Sequence, residues 1–156
     1  MTDASFKEVI VYCDGAASPN PGPGGYVVVV IRNEQRQELS GGFRKTTNNR
    51  MEILGAIIGL RQVARHPGKI TIYSDARYVV DMFMGGHVEK WRQQGWTRNK
   101  GKDNALNPDL WNELLNLATG HDVQFVWVKS HADNRENGRC DELAVMARQG
   151  QDLPPD

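Results

Sequence analysis

The apolar residues of this chain fall in five short stretches that have the residue types of β-strands. β-Branched and aromatic side chains dominate each stretch, and glycine, proline or polar turns bound it. The five stretches cover residues 9–13, 25–32, 37–45, 69–73 and 122–129. Short turns join the first three, which predicts an antiparallel meander with the third, more polar strand at the edge of a sheet.

The first strand is expected to end abruptly on an acid. Residues 8–15 run from an apolar stretch into Asp14 and Gly15, and a glycine- and proline-rich run follows over residues 19–25. Glycine and proline are the strongest punctuators of local structure. This pattern predicts that Asp14 lies where a central strand gives way to a turn.

Helical periodicity and capping residues predict four helices between and after these strands. They cover residues 46–65, 76–83, 107–118 and 135–148. Asn107 is the expected N-cap of the third helix. A strand, a helix and a second strand in succession follow the βαβ pattern, so the first and fourth strands are expected to be parallel neighbours in an α/β sheet.

Length and composition favour a single soluble domain, which we place at residues 1–150, followed by a disordered tail at residues 151–156. Of the 156 residues, 39% are hydrophobic and 24% are charged, and 19 basic residues balance 19 acidic ones. A nucleic-acid ligand would therefore need a local basic patch. No apolar run could span a bilayer and there is no signal-peptide pattern, so Cys13 and Cys140 are expected to be reduced thiols of a cytoplasmic protein.

Four acidic side chains occupy positions that are otherwise suited to packing. Asp14 and Asp75 each follow an apolar strand, and parallel pairing would bring both to the sheet edge where open α/β sheets bind ligands. Glu52 shares a helix face with small and apolar residues, and Asp141 lies in the last predicted helix. Three of the acids also have a simpler explanation. Asp14 would be a turn residue and Asp75 a helix cap, and Glu52 would be a solvent-facing acid favoured by the helix dipole.

A cluster of these carboxylates would need a cation. Like charges in a partly buried site raise one another's pKa, and a hard divalent cation such as Mg²⁺ or Mn²⁺ removes the repulsion. Two such ions roughly 3.5–4 Å apart form a known arrangement for phosphoryl transfer. His131 follows the last strand on a loop and is either a proton shuttle or a surface histidine of no consequence.

One further segment combines positive charge with aromatic rings. Residues 85–104 are polar and locally basic, they contain Trp91 and Trp96, and they are expected to form a short helix and an excursion away from the core. Basic side chains interleaved with aromatic ones suit a nucleic-acid backbone next to its sugars or bases. A solvated loop whose tryptophans pack on the protein body would explain the same composition.

Six segments, in order and over nearly the whole chain, resemble type 1 ribonuclease H. They are residues 12–15, 20–25, 46–52, 74–79, 128–132 and 140–144. The combination is highly specific, although no single segment would be. The resemblance implies one catalytic domain with the α/β ribonuclease H-like fold, which is a five-stranded mixed sheet in the order 3-2-1-4-5 with helices on both faces.

The resemblance also implies an activity, the hydrolysis by an endonuclease of the RNA strand of RNA–DNA hybrids, giving 5′-phosphate and 3′-hydroxyl ends. Asp14, Glu52, Asp75 and Asp141 fall on the family's metal-ligand positions. The implied cofactor is a pair of Mg²⁺ ions bound with the substrate, for which Mn²⁺ can substitute. His131 falls on the family's mobile-loop histidine. A monomer with no obligate protein partner and no membrane association is expected.

Nine further residues fall on or near positions at which the family contacts its substrate. They are Gly15, Asn20, Lys45, Thr47, Asn48, Asn49, Arg77, Trp91 and Trp96. Lys45, Thr47 and Asn48 fall near a pocket for a DNA phosphate. Gly15, Asn20 and Asn49 fall where the 2′-hydroxyls that distinguish RNA are recognised. Arg77 departs from the family, which often has Gln here, and we expect this position to contact the substrate by charge.

Two alternative functions stay open at this point. Another metal-dependent nuclease of the same superfold, such as a resolvase or an integrase-like core, would share the acids, although the complete segment 46–52 and His131 argue against it. A hybrid-binding module without catalysis would ordinarily lack one of the four acids, and none is missing. Nucleotide binding by the glycine-rich turn is disfavoured because no Gly-Lys-Ser/Thr follows it.

Overall fold

A computed structural model of the chain describes residues 8–63, 65–66, 68–129 and 153–156. The strands are β1 (Val9–Ala17), β2 (Gly22–Arg32), β3 (Gln35–Thr46), β4 (Lys69–Ser74), β5 (Thr97–Arg98), β6 (Asp103–Asn104) and β7 (Asp122–Trp127). The helices are α1 (Asn48–Gln62), α2 (Arg77–Met84), α3 (His87–Gln93) and α4 (Pro108–Ala118). In the described part of the chain, no helix is long and apolar enough to cross a bilayer.

Five strands form one mixed sheet in the order β3-β2-β1-β4-β7, and β5 and β6 form a separate two-stranded hairpin. β1 pairs with β2 and β2 with β3 in antiparallel fashion, while β4 lies parallel to both β1 and β7. This arrangement confirms the predicted five-stranded mixed sheet, with β7 as its fifth strand. The helix predicted at residues 135–148 lies outside the described residues.

β1 continues beyond the acid on which we expected it to end. Asp14 lies opposite Val27, and the pairing with β2 goes on as far as Ala17 opposite Gly24. The prediction that the strand stops at Gly15 was wrong, because the glycine-rich run from Gly22 is extended and forms the start of β2. On its other side, β1 pairs with β4 only as far as Cys13. Asp14 therefore lies just past the end of the parallel pairing but inside its own strand.

The main core lies between one face of the sheet and the four described helices. Its largest fully buried side chains include Ile53 and Ile57 of α1, Ile72 of β4 and Trp111 of α4. α1 approaches the sheet closely, since a Cβ atom added at Gly59 would lie 2.6 Å from Cγ1 of Val11. The predicted packing of the helix face that carries Glu52 is thereby confirmed.

Replacing Gly59 by alanine is expected to lower the free energy of unfolding by about 1–2 kcal/mol. The overlap with Val11 costs about 1–3 kcal/mol and outweighs the gain of up to about 1 kcal/mol in helix propensity. Gly55→Ala is the matched control, because its Cβ would lie 3.2 Å from Cβ of Cys13, a contact that small shifts can relieve. Urea denaturation of both variants measures the difference, and equal stabilities would contradict the close approach at Gly59.

Arg50 joins the first turn of α1 to α4 and to the segment 153–156. Its guanidinium pairs with Asp109 at 2.8 Å and with Asp156 at 2.7 Å, and it also donates to Oδ1 of Asn107. The hydrogen bond from Arg50 is the main cause that lowers the pKa of Asp109. Backbone contact continues along the segment, since the N–H of Arg44 donates to the carbonyl of Pro154. The predicted disorder of the tail does not extend to residues 153–156, because these contacts hold that segment against α1 and β3. The predicted domain boundary after residue 150 lies outside the described residues and stays a prediction.

The Arg50→Ala variant is expected to lose about 2 kcal/mol of unfolding free energy, because the half-buried Asp156 carboxylate is left without its cation. Arg61→Ala is a matched control, since Arg61 also links α1 to α4, through an exposed ion pair with Glu113. Exposed pairs of this kind contribute at most about 1 kcal/mol. Urea denaturation distinguishes the two variants, and a loss at Arg50 no larger than that at Arg61 would contradict a structural role for the network.

Candidate active site

Three carboxylates converge at one edge of the sheet. Asp14, Glu52 and Asp75 each offer an oxygen atom, and these oxygens lie within 4.8 Å of one another. The sheet register explains two of the three positions. Cys13 of β1 lies opposite Ser74 of β4, so the residues that follow them, Asp14 and Asp75, emerge side by side. The predicted meeting of acids at the carboxyl ends of parallel strands is therefore seen in the structure.

The third carboxylate, Glu52, lies on α1. It reaches the other two because Gly15 has no side chain to hold the helix away from the strand. A Cβ atom at Gly15 would overlap the backbone of Met51, so the helix lies directly against the strand at this point. Glu52, the next residue, is thereby brought to Asp14, so that their carboxylate oxygens lie within 4.8 Å of each other. Oδ1 of Asp14 accepts a hydrogen bond from the N–H of Gly15 at 2.8 Å.

The electrostatics of the cluster disfavour three negative charges in the absence of a cation. Asp14 is 4% exposed and Glu52 is 8% exposed. Burial is the main cause that raises the pKa of Glu52 well above its usual value, and the charges of Asp14 and Asp75 raise it further. Oε2 of Glu52 is buried and has no hydrogen-bond partner among the described residues. An all-oxygen set of this kind suits a hard divalent cation.

The simpler explanations for these acids do not fit the structure. Glu52 does not face solvent. The N-cap residue of α2 is Ala76, which makes no side-chain capping bond, so Asp75 does not cap that helix. Asp14 lies within a paired strand rather than at a turn. The other two residues predicted for the catalytic centre, His131 and Asp141, lie outside the described residues.

A shallow pocket of about 380 Å³ surrounds the acids. Gly15, Asn48 and Asn49 line one part of it, and Arg77 and Tyr78 line another. The Arg77 side chain is 71% exposed, and its guanidinium lies 5.1 Å from the centre of the Trp127 ring. Five residues predicted from the sequence to bind metal or substrate thus share this pocket with Asp14 and Glu52.

A second pocket of about 440 Å³ lies beside the first and holds residues predicted for a DNA phosphate. Thr47 and Asn48 line it, together with Asn20 and Asn49, which were predicted to contact the RNA strand. Three of these side chains also shape the backbone, because Asn20 accepts from the N–H of Asn48, Asn48 accepts from the N–H of Ala17, and Thr47 caps α1. Lys45 is exposed and is not among the residues that line this pocket.

Three residues that were not predicted to bind substrate complete this second pocket, namely Pro21, Leu106 and Asn107. We expected Asn107 to cap α4, and that prediction was wrong for its side chain. Asn107 has a left-handed backbone with φ 58°, and its side chain makes no capping bond. Its Oδ1 accepts from Arg50 instead. The long-range partner on α1 gives no local signal in the sequence.

The two tryptophans of the basic segment lie in different surroundings. Trp91 is 9% exposed and packs edge-on against Trp111, so most of its ring belongs to the core. Trp96 is partly buried against the same core. A groove of about 410 Å³ runs beside them and is lined by basic side chains, Lys90, Arg98 and Lys100. The proposed contact of the tryptophans with substrate stays a prediction.

A mixed sheet with carboxylates at the ends of adjacent parallel strands defines an α/β protein whose ligand-binding edge can hold divalent cations. The sequence model of the ribonuclease H family matches residues 6–149. The chain therefore belongs to the ribonuclease H family.

Relatives and solved structures agree with this assignment. The chain is 51% identical over 149 residues to a ribonuclease H of Trichodesmium erythraeum, covering 96% of this chain and 94% of the relative. It is 54% identical over 152 residues to one from Rippkaea orientalis, covering 97% and 92%. The crystal structure of LC9-RNase H1, a type 1 RNase H with the type 2 active-site motif, superposes with a TM-score of 0.80 at 30% identity, covering 95% of this chain and 75% of that one.

Proposed function

We propose that this chain is an endonuclease that hydrolyses the RNA strand of RNA–DNA hybrids and leaves 5′-phosphate and 3′-hydroxyl ends. The observation that carries the proposal is the convergence of Asp14, Glu52 and Asp75 at the ligand-binding edge of the sheet, in a chain that belongs to the ribonuclease H family. Shared carboxylates of this kind are a recurrent basis of phosphodiester hydrolysis.

The cofactor we propose is Mg²⁺, with two ions bound in the presence of substrate and Mn²⁺ as a substitute. The three described carboxylates, together with Asp141, would hold these ions, which supply an activated water and stabilise the departing oxygen. The donor set fits, because it is all oxygen and because Oε2 of Glu52 is buried without a hydrogen-bond partner in the described structure. His131 is proposed to move a proton at this site.

The residues around the acids are proposed to distinguish the RNA strand of the hybrid from the DNA strand. We propose that the RNA strand lies over the first pocket, where the backbone of Gly15 and the side chain of Asn49 contact its 2′-hydroxyls. Asn20 is proposed to contact a further 2′-hydroxyl from the adjoining second pocket. Arg77 at the rim is proposed to contact its phosphates. The 2′-hydroxyl is the group by which a protein distinguishes RNA from DNA at a given site.

The second pocket and the basic groove are proposed to hold the DNA strand. Thr47 and Asn48 lie in the pocket and exposed Lys45 nearby would attract a phosphate. The groove beside Trp91 and Trp96 offers further positive charge. With equal numbers of acidic and basic residues in the chain, this local charge has to supply the attraction to a polyanion.

A cleavage assay on end-labelled duplexes tests the proposal. We expect the RNA strand of a hybrid to be cut with Mg²⁺ or Mn²⁺, and neither RNA duplex nor DNA duplex to be cut. Chelator should abolish the reaction. Cleavage of DNA duplexes or junctions would favour a resolvase-like nuclease instead, and tight hybrid binding without cleavage would favour a non-catalytic module. Light scattering tests our further proposal that the chain acts as a monomer, and cell fractionation tests a cytoplasmic location.

A further inference from the structure

Trp127 lies at the end of β7 with 42% of its surface exposed, although it is a large aromatic residue. β7 is the neighbour of β4, and Trp127 lies opposite Ser74, the residue before Asp75. The ring is therefore placed at the same sheet edge as the acids. None of the roles described above accounts for an exposed tryptophan at this position.

The indole of Trp127 holds the backbone next to the acid cluster. Its Nε1–H donates a hydrogen bond to the carbonyl oxygen of Asp75 at 3.2 Å. Asp75 lies in the short link between β4 and α2. A hydrogen bond to its carbonyl fixes the peptide plane from which the Asp75 carboxylate projects towards Asp14 and Glu52.

The face of the same ring holds Arg77. The guanidinium carbon lies 5.1 Å from the ring centre, which is within the range of a cation–π contact. On its other side, Nε of Arg77 lies 3.6 Å from Asp81, one turn along α2. An arginine with 71% of its side chain exposed would otherwise occupy many rotamers. Between the ring and Asp81, its planar group is held at the rim of the acid pocket.

We propose that Trp127 is a positioning residue for hybrid cleavage. Its ring holds the Arg77 guanidinium ready for a backbone phosphate of the substrate, and its indole N–H orients Asp75. This inference rests on the proposed function and assigns it a residue with no direct part in the chemistry. A planar guanidinium suits this task, because it offers paired donors to a phosphate while its face rests on an aromatic ring.

Hybrid binding measured by fluorescence anisotropy in chelator, against salt concentration, tests the ring. Trp127→Leu removes the ring face and should weaken binding about two- to fivefold, while Trp127→Phe keeps a ring face and should bind within about twofold of the parent chain. In an Arg77→Gln background, Trp127→Leu should cause no further loss. Arg36→Gln, at the far end of β3, is the control for removal of one positive charge.

Steady-state kinetics with Mg²⁺ test the indole N–H. Trp127→Phe should leave KM near that of the parent chain and lower kcat about fivefold, because one hydrogen bond to Asp75 is lost. If Trp127 served only in packing, Trp127→Leu would not weaken hybrid binding while Trp127→Phe kept binding and lowered kcat. If Trp127→Leu does not fold, Arg77→Lys serves instead, since lysine keeps the charge but loses the planar contact and should also weaken binding.

The inference is overturned if Trp127→Leu, or Arg77→Lys in its place, binds hybrid as tightly as the parent chain. Additive losses in the double variant would overturn it as well, and so would an unchanged kcat in Trp127→Phe. In each of these cases the parent chain still cleaves hybrid. A parent chain that cleaves no hybrid refutes the proposed function itself, and the two failures are therefore distinguishable.

Discussion

Asp14→Asn is expected to lower the rate of hybrid hydrolysis on the order of a thousandfold or more, because the substitution removes the carboxylate at the centre of the acid cluster. The same variant should raise the melting temperature in chelator by a few degrees. This gain in stability is electrostatic, because the substitution removes the repulsion between Asp14 and Glu52. The charge of Asp14 is one of the causes that raise the pKa of Glu52. A loss of activity together with a gain in metal-free stability is typical of a site organised for a ligand rather than for the fold.

Initial rates with Mg²⁺ and thermal melts in chelator measure the two effects. Asp122→Asn is the matched control, because Asp122 is exposed and lies at the opposite ends of the strands, where β7 begins next to Lys69. It makes the same change in net charge and should alter neither quantity. Undiminished activity in Asp14→Asn would refute the proposed mechanism, and a fall in its metal-free stability would refute the electrostatic account.

Stability in chelator is expected to fall as pH rises, through Glu52. The folded chain raises the pKa of Glu52 above its value in the unfolded chain, mainly by burial. Between those two values the folded state holds the proton more tightly, so the free energy of unfolding declines as pH rises through this window. The slope that one group can give is at most about 1.4 kcal/mol per pH unit. Below the unfolded value of the pKa, Glu52 contributes no slope.

Chemical denaturation of the parent chain and of Glu52→Gln, from acidic to alkaline pH, isolates this contribution. Glutamine cannot titrate, so the difference in stability between the two chains should shift in favour of the variant as pH rises. Mg²⁺ should reverse the shift for the parent chain, since it binds the ionised cluster and stabilises the folded state by mass action. A difference that does not change with pH would show that Glu52 keeps an ordinary pKa.

The sheet and the acid cluster could be predicted because their signals are local. β-Branched runs mark the central strands, and the strand–helix–strand pattern places β1 beside β4, which brings Asp14 and Asp75 to one edge. The small residues that share a helix face with Glu52 predicted that this face packs against the sheet. The close approach of Gly59 to Val11 is the contact that requires such small residues.

Features that depend on partners distant in the chain were missed. The continuation of β1 to Ala17 depends on its pairing with β2. The glycines at the start of β2 predict a turn when the sequence is taken alone. The local sequence around Asn107 is typical of a helix N-cap. Its side chain instead accepts a hydrogen bond from Arg50, which lies 57 residues away in the chain. The contact of Trp127 with Arg77 joins β7 to α2 and follows from no periodicity in either element.

The absence of a side chain at Gly15 has a consequence for how a cation would be bound. Because Met51 rests on the backbone of β1, the main chain of Glu52 is held next to that of Asp14, and both side chains are buried, which restricts their rotamers. Their ordering entropy has thus been lost already during folding, and little more is lost when an ion arrives. What opposes the empty, ionised state is first the burial of Glu52 and then the repulsion between the three carboxylates. Affinity for the metal should accordingly follow the charge of the ion and the pH more than the flexibility of the chain.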